Sequence, residues 1–128
     1  MNPKDYFYTK EHEWIKVEGD EAVVGVTDFA QKQLGDIIYV ELPEVGRQIE
    51  SAAKIGVIES VKSVSDVFSP VSGEVVAVNQ SLGQAADAVN KDPYGQGWIL
   101  RIKMKDKSQV AGLIAAADYE KYLEGLES

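Results

Sequence analysis

Lys54-Ile55-Gly56-Val57-Ile58-Glu59-Ser60-Val61-Lys62-Ser63-Val64-Ser65-Asp66-Val67-Phe68 is the stretch on which the fold turns. Its two apolar arms, 54–59 and 64–68, flank the short polar link Ser60-Val61-Lys62-Ser63, which reads as a β-hairpin. A lysine at such a turn has its ammonium pushed into solvent and its backbone pinned by strand pairing on both sides. Upstream, Trp14-Ile15-Lys16-Val17 and Ala22-Val23-Val24-Gly25-Val26 surround Glu18-Gly19-Asp20-Glu21, a second hairpin. Thr27 or Asp28 can cap a short helix over about 28–34, with Gly35 placed to stop it. The segment 36–42 follows as a strand in which Ile38, Val40 and Leu42 share a face, until Pro43, Glu44 and Gly46 break it.

Downstream, Pro70 and Gly73 interrupt the chain before Glu74-Val75-Val76-Ala77-Val78, and 81–97 reads as loop. Trp98, Leu100, Ile102 and Met104 then alternate with Ile99, Arg101, Lys103 and Lys105, a half-buried strand. Val110, Leu113, Ile114 and Ala117, and then Tyr119, Tyr122, Leu123 and Leu126, repeat at helical spacing, with Asp118 as an N-cap between them. The expectation is therefore mainly β: core strands over about 13–104 in a sandwich or barrel, and C-terminal helices over about 108–126. With no repeat, linker or low-complexity segment, 1–128 reads as a single domain.

Composition narrows the function. Thirteen Lys and Arg stand against 21 Asp and Glu, a net charge of −8, which argues against nucleic acid, where phosphate neutralisation dominates binding. The absence of Cys removes disulfides, thiolate metal sites and a cysteine nucleophile, and the single His12 removes any site needing two imidazoles. No apolar run approaches the ~18 residues of a membrane span, and the first ten residues lack the features of a secretory or transit signal. A soluble, intracellular protein is expected.

Several candidate chemistries fail on inspection. His12 has no nucleophile motif to serve, and between Glu11 and Glu13 it reads as an exposed polar residue. Glu11, Glu13 and Asp66 could form an acid/base pair, but in so acidic a chain a solvated face is the default. Gly95-Gln96-Gly97 lacks the third glycine and the preceding strand of a dinucleotide loop. Lys103-Met104-Lys105 inverts the Met-Lys-Met pattern of biotin carriers, and Met104 continues the inward face of its strand, so biotin is rejected.

Around Lys62 the pattern is more specific. Glu59-Ser60-Val61-Lys62 is accompanied by Glu13-Trp14 after a His, 25–31 (GVTDFAQ), Leu34-Gly35-Asp36 and 40–46 (VELPEVG). Pro70-Val71-Ser72-Gly73-Glu74-Val75 and Val89-Asn90 leading to 92–98 (DPYGQGW) complete the set. In these ordered blocks, over nearly its whole length, the chain resembles the H proteins of the glycine cleavage system. The resemblance implies a lipoyl/biotinyl-type β-sandwich (a barrel-sandwich hybrid) with lipoic acid in amide linkage on Lys62. It implies a carrier rather than an enzyme. The arm takes the aminomethyl group of glycine from a pyridoxal-phosphate glycine decarboxylase, gives it up to a tetrahydrofolate-dependent aminomethyltransferase, and is reoxidised by dihydrolipoamide dehydrogenase.

By the same resemblance Glu13 and Asp66 line the cleft that shelters the aminomethyl group, and Gln33 stands where some relatives place a cleft histidine. Glu59, Ser60, Val61 and Asp66 flank the lysine and are expected to be read by the lipoate-attaching enzyme. Ala86 and Ala88 depart from the Pro and large aliphatic residue common in the family. A cytoplasmic bacterial monomer is expected, or a mitochondrial matrix protein if the chain is an organellar mature form. Two other readings stand beside the carrier: a related lipoyl protein that relays lipoate, and an unmodified β-sandwich adaptor.

Overall fold

The computed structural model describes residues 2–127, and the strands it contains are β1 (Phe7–Tyr8), β2 (Glu13–Glu18), β3 (Glu21–Val26), β4 (Ile37–Glu41), β5 (Gln48–Ile49), β6 (Lys54–Ser60), β7 (Val64–Phe68), β8 (Gly73–Val78), β9 (Leu100–Met104) and β10 (Ile114–Ala115). Three α-helices, α1 (Asp28–Leu34), α2 (Ala88–Lys91) and α3 (Ala116–Glu127), and two 3₁₀ turns at Gln80–Gly83 and Lys107–Gly112 complete it. Among the described residues no helix is long and apolar enough to cross a membrane.

The strands make two antiparallel sheets, one ordered β10-β1-β2-β3-β9-β8-β5 and a smaller one ordered β4-β6-β7. Their inner faces share one apolar core. Ile15, Val24, Val75, Leu100 and Ile102 from the large sheet meet Val40, Ile55, Ile58 and Val67 from the small one. Each fully buried aliphatic side chain contributes roughly 1.5–3 kcal/mol by removal from water, so this interface is what holds the sheets together. The outer face of the large sheet is covered by α3: Tyr8, Trp14, Val23, Tyr119 and Leu123 form a second cluster there, and Trp14 Nε1 donates to the Pro93 carbonyl at 2.9 Å. Gly73 is required by close approach, since a Cβ there would collide with the Lys103 carbonyl oxygen.

The expected sandwich and both hairpins are present, and β6 and β7 end one residue or less from the arms read in the sequence. Four local readings are corrected. In β4 a bulge between Ile37 and Tyr39 turns both Ile37 and Val40 inward and leaves Ile38 60% exposed, so Ile38 does not share a face with Val40. In β9 the inward face begins at Leu100. Trp98 precedes the strand and packs on the outer cluster, while Ile99 is buried through the bond of its N–H to the Val24 carbonyl. Segment 81–97 is not wholly loop: Leu82 and Val89 plug the core from the short turns that carry them.

The fourth correction concerns the C-terminal helices over 108–126. Their first half is a 3₁₀ turn followed by β10, because Ile114 and Ala115 pair with Tyr8 and Phe7, and long-range pairing overrides the helical spacing. Asp118 then lies inside the first turn of α3 rather than capping it.

Candidate functional site

Lys62 stands at the apex of the β6–β7 hairpin, and the turn beneath it is locked from below. Ser60 is buried, 7% exposed, and its backbone N–H donates to the Ser63 carbonyl at 2.8 Å. Its hydroxyl oxygen accepts from the N–H groups of Ser63 (3.1 Å) and Lys62 (3.4 Å) and donates to the Ser63 carbonyl (3.2 Å). A serine closing its own turn in this way holds a lysine backbone without help from the lysine side chain. Among the described residues the Lys62 ammonium has no ion pair or side-chain hydrogen bond and is exposed. An amine so presented fits an acyl group in amide linkage, because acylation breaks no existing contact and removes no buried charge.

A second set of residues supports the turn from the side. Val61 N–H donates to the Asp36 carbonyl at 3.0 Å, tying the hairpin apex to the α1–β4 connection. That connection is held by Asn90, whose Oδ1 accepts from Ile37 N–H at 2.9 Å and whose Nδ2 donates to the Gly35 carbonyl and Gln31 Oε1, both at 2.9 Å. Gly35 has φ +83°, and a Cβ there would stand 3.2 Å from Cε of Lys62, so glycine both permits the backbone and leaves room for the lysine stem. Thr27 caps α1, accepting from Ala30 N–H at 3.2 Å, so of the two capping candidates it is Thr27 that caps.

The three residues carried over for the cleft meet. Glu13, Gln33 and Asp66 line one depression of about 130 Å³ between the start of β2, α1 and the free edge of β7, with Leu34, Ile58 and Val67 as its apolar floor. Glu13 is 2% exposed, which overturns the solvated-face default. Its Oε1 accepts from the Thr9 hydroxyl at 2.6 Å and its Oε2 from Phe68 N–H at 3.3 Å. The second bond has a simple origin. β7 pairs only with β6, so its other edge offers an unpaired N–H, and the Glu13 carboxylate stands in for the missing strand. Burial pushes the Glu13 carboxyl up to about 7, against the opposing pull of those hydrogen bonds. On its far side Glu13, with Glu11, also borders a more apolar cavity of about 370 Å³ closed by Phe68, Pro70 and Leu113.

Asp66 and Gln33 are exposed at the rim. Asp66 pairs with Lys54 at 3.5 Å, a contact open to solvent and worth little by itself. Glu59 is half-buried on β6 and Val61 is 67% exposed beside the lysine, whereas Ser60 faces inward and reaches its neighbours only through the turn. His12 is not the exposed residue expected. It is half-buried against Phe29, Tyr119 and Tyr122, with Nδ1 2.8 Å from the Tyr119 hydroxyl, and burial lowers its pKa.

The family model described as glycine cleavage H-protein matches residues 6–126. The chain belongs to that family. It is 52% identical over 122 residues to the glycine cleavage system H protein of Thermus thermophilus, covering 95% of each chain. It is 51% identical over 122 residues to that of Listeria monocytogenes serotype 4a, covering 95% of this chain and 98% of the other. A crystal structure of a glycine cleavage system H protein from Mycobacterium marinum superposes with a TM-score of 0.88 at 36% identity, covering 96% of this chain and 99% of that one. The sandwich is thus the lipoyl type, and the chain is a carrier component of the glycine cleavage system.

The turn lysine was legible in the sequence. The supports at Asp36, Gly35 and Asn90 were not, although all three stand within the family-like blocks; the signal was a cluster of small polar residues with no chemistry of their own.

Proposed function

We propose that this chain carries lipoate in amide linkage on Lys62. On that arm it moves the aminomethyl group of glycine from glycine decarboxylase to the tetrahydrofolate-dependent aminomethyltransferase, with dihydrolipoamide dehydrogenase as the reoxidising partner. The observation that carries the reading is the apex lysine itself: an exposed amine, without a partner among the described residues, on a turn whose backbone is fixed from beneath by Ser60 and from the side by Asp36. Bound there, lipoate supplies a disulfide–dithiol couple.

The chain's own residues supply attachment, shelter and charge. Glu59, Val61 and Asp66 present the surface that a lipoate-attaching enzyme reads around Lys62, while Ser60 contributes by keeping the turn in shape. Asp66 lies two residues into β7 and four beyond Lys62, at most about 14 Å along the chain, a distance an acylated lysine side chain can cover. In the cleft, Glu13 offers a carboxyl near neutrality to a cationic amine, and the apolar floor of Leu34, Ile58 and Val67 limits the water that would release it. Gln33 and Asp66 complete the rim as polar acceptors.

The chain performs no chemistry alone. It is read as a single carrier domain that acts as a monomer and meets three enzymes in turn, in the cytoplasm of a bacterium or in a mitochondrial matrix. Intact-mass measurement after incubation with lipoate, ATP and a lipoate ligase tests attachment: the wild type should gain one lipoyl group and Lys62→Arg none. Equal gain in both, or none in the wild type, would sink the proposal. Exchange of labelled bicarbonate into glycine with the decarboxylase separates glycine cleavage from a lipoate relay.

A further inference from the structure

We infer that Tyr119, on the C-terminal helix, is a positioning residue for the cleft, its hydroxyl joining the turn that presents Glu13 to the cap of the helix that presents Gln33. The inference rests on the cleft assignment proposed above. Tyr119 touches neither Lys62 nor the depression; it acts through two neighbours that do shape it.

Tyr119 is fully buried, and its Oη lies 2.8 Å from Nδ1 of His12 and 2.8 Å from Oγ1 of Thr27, itself fully buried. Thr27 is the N-cap of α1, the helix that forms one wall of the depression. His12 immediately precedes Glu13, which forms the other wall, and it holds a left-handed backbone (φ +69°) that an L residue adopts only when its surroundings enforce it. The enforcement is visible. His12 N–H donates to the Thr9 carbonyl at 3.1 Å, and its own carbonyl accepts from Thr27 N–H at 2.9 Å. One hydroxyl therefore sits where the two walls join.

The donors assign themselves by elimination. Ala30 N–H already donates to Thr27 Oγ1, so the Thr27 hydroxyl proton is free to point at Tyr119 Oη, and the Tyr119 proton at His12 Nδ1. This order satisfies both hydroxyls and His12 Nδ1, and it requires His12 to be neutral with its proton on Nε2. The reverse order would leave the Thr27 hydroxyl proton without an acceptor in a fully buried place, which costs the desolvation of that donor. The Tyr119 ring does a separate job, stacking on Tyr8 at 4.5 Å with the planes 6° apart. Tyr119→Phe therefore removes the link and keeps the packing.

The test uses the whole protein. Because His12 is the only histidine, labelled histidine gives a single imidazole in a nitrogen NMR spectrum. In the unmodified wild type at pH 7.5, Nδ1 should resonate as an unprotonated acceptor. In Tyr119→Phe both tautomers should appear, and the carboxyl-carbon titration midpoint of Glu13 should move from near 7 towards the ordinary carboxylate range as its turn loosens. In lipoylated protein, reduced and loaded with formaldehyde and ammonium, the aminomethyl group is lost when water cleaves the C–S and C–N bonds. That returns the thiol, formaldehyde and ammonium. Tyr119→Phe should raise this loss rate about fivefold, the worth of one net hydrogen bond. Thr27→Ser, which keeps both the link and the α1 cap, should match the wild type. If Tyr119→Phe does not fold, His12→Asn against His12→Gly decides the matter: both accept the left-handed backbone and both leave the Thr27 cap in place, but only Asn keeps an acceptor for the Tyr119 hydroxyl, so the loss rate should rise more in His12→Gly, and equal rates would overturn the inference.

An unchanged His12 tautomer and Glu13 midpoint in folded Tyr119→Phe would overturn the inference. A loss rate that rises in Glu13→Gln but not in Tyr119→Phe would overturn it too, leaving the cleft reading intact. A loss rate unaffected by Glu13→Gln would remove the cleft reading, and the coupling with it.

Discussion

The N–H of Val61 donates to the carbonyl of Asp36 across 3.0 Å, so the turn that presents Lys62 is fastened to the entry of β4, the strand beside β6 in the same sheet, and not only to its own hairpin. Hairpin tips ordinarily fray; this one has a lateral tie, which runs on through Gly35 and Ile37 to Asn90.

Asn90→Ala should loosen the apex from a distance. It deletes the bonds to Ile37 N–H, the Gly35 carbonyl and Gln31, and leaves a half-buried N–H without its acceptor, at about 2 kcal/mol of stability. Hydrogen exchange should then accelerate at the Ile37 and Val61 amides, while the Lys16 and Val23 amides in the remote hairpin keep their protection.

Ser60→Ala removes the hydroxyl that ties together the N–H groups of Lys62 and Ser63. The expected outcome is a loss of about 1–2 kcal/mol in denaturant unfolding and a slower rate of lipoate attachment, with full attachment still reached at long times. Ser60→Thr, which keeps the oxygen, should recover most of the rate.

Glu13 gives the protein an unusual pH dependence. Its folded carboxyl titrates near 7 against an ordinary value of 4.5, so between those limits the unfolded chain ionises while the folded one keeps its proton. The folded state then binds more protons, and stability from this group falls as pH rises from about 4.5 to 7, by up to ~3 kcal/mol, and levels off above. Unfolding midpoints measured across that window should slope downward in the wild type and flatten in Glu13→Gln. A cation in the cleft favours the carboxylate and should pull the midpoint back down, releasing a proton on binding.

Gly35→Ala meets two obstacles, a backbone at φ +83° and the stem of Lys62 at 3.2 Å. About 1–2 kcal/mol of destabilisation is expected from the backbone alone. The lysine must also swing away, and a change in attachment rate read by intact mass would register it.

The net charge of −8 favours encounter with enzymes bearing basic patches. The KM of the aminomethyltransferase for the carrier should rise with salt while kcat holds; a flat response between low and physiological ionic strength would exclude steering.

What the sequence determined by itself are the elements whose pattern is carried by neighbours in the chain. The 54–68 hairpin with Lys62 at its apex, the 14–26 hairpin and the short helix over 28–34, with its cap at Thr27 or Asp28, all follow from period-two alternation, turn residues and capping among near neighbours in the chain. The tertiary structure alone decided the rest. It buried Glu13 at the edge of β7 and turned His12 inward to Tyr119, contacts spanning 55 and 107 residues. It also drew 114–115 out of a helical pattern to pair with β1. Such outcomes rest on which strand edge is left unpaired and which surface a distant helix covers, and no local pattern of residues encodes either.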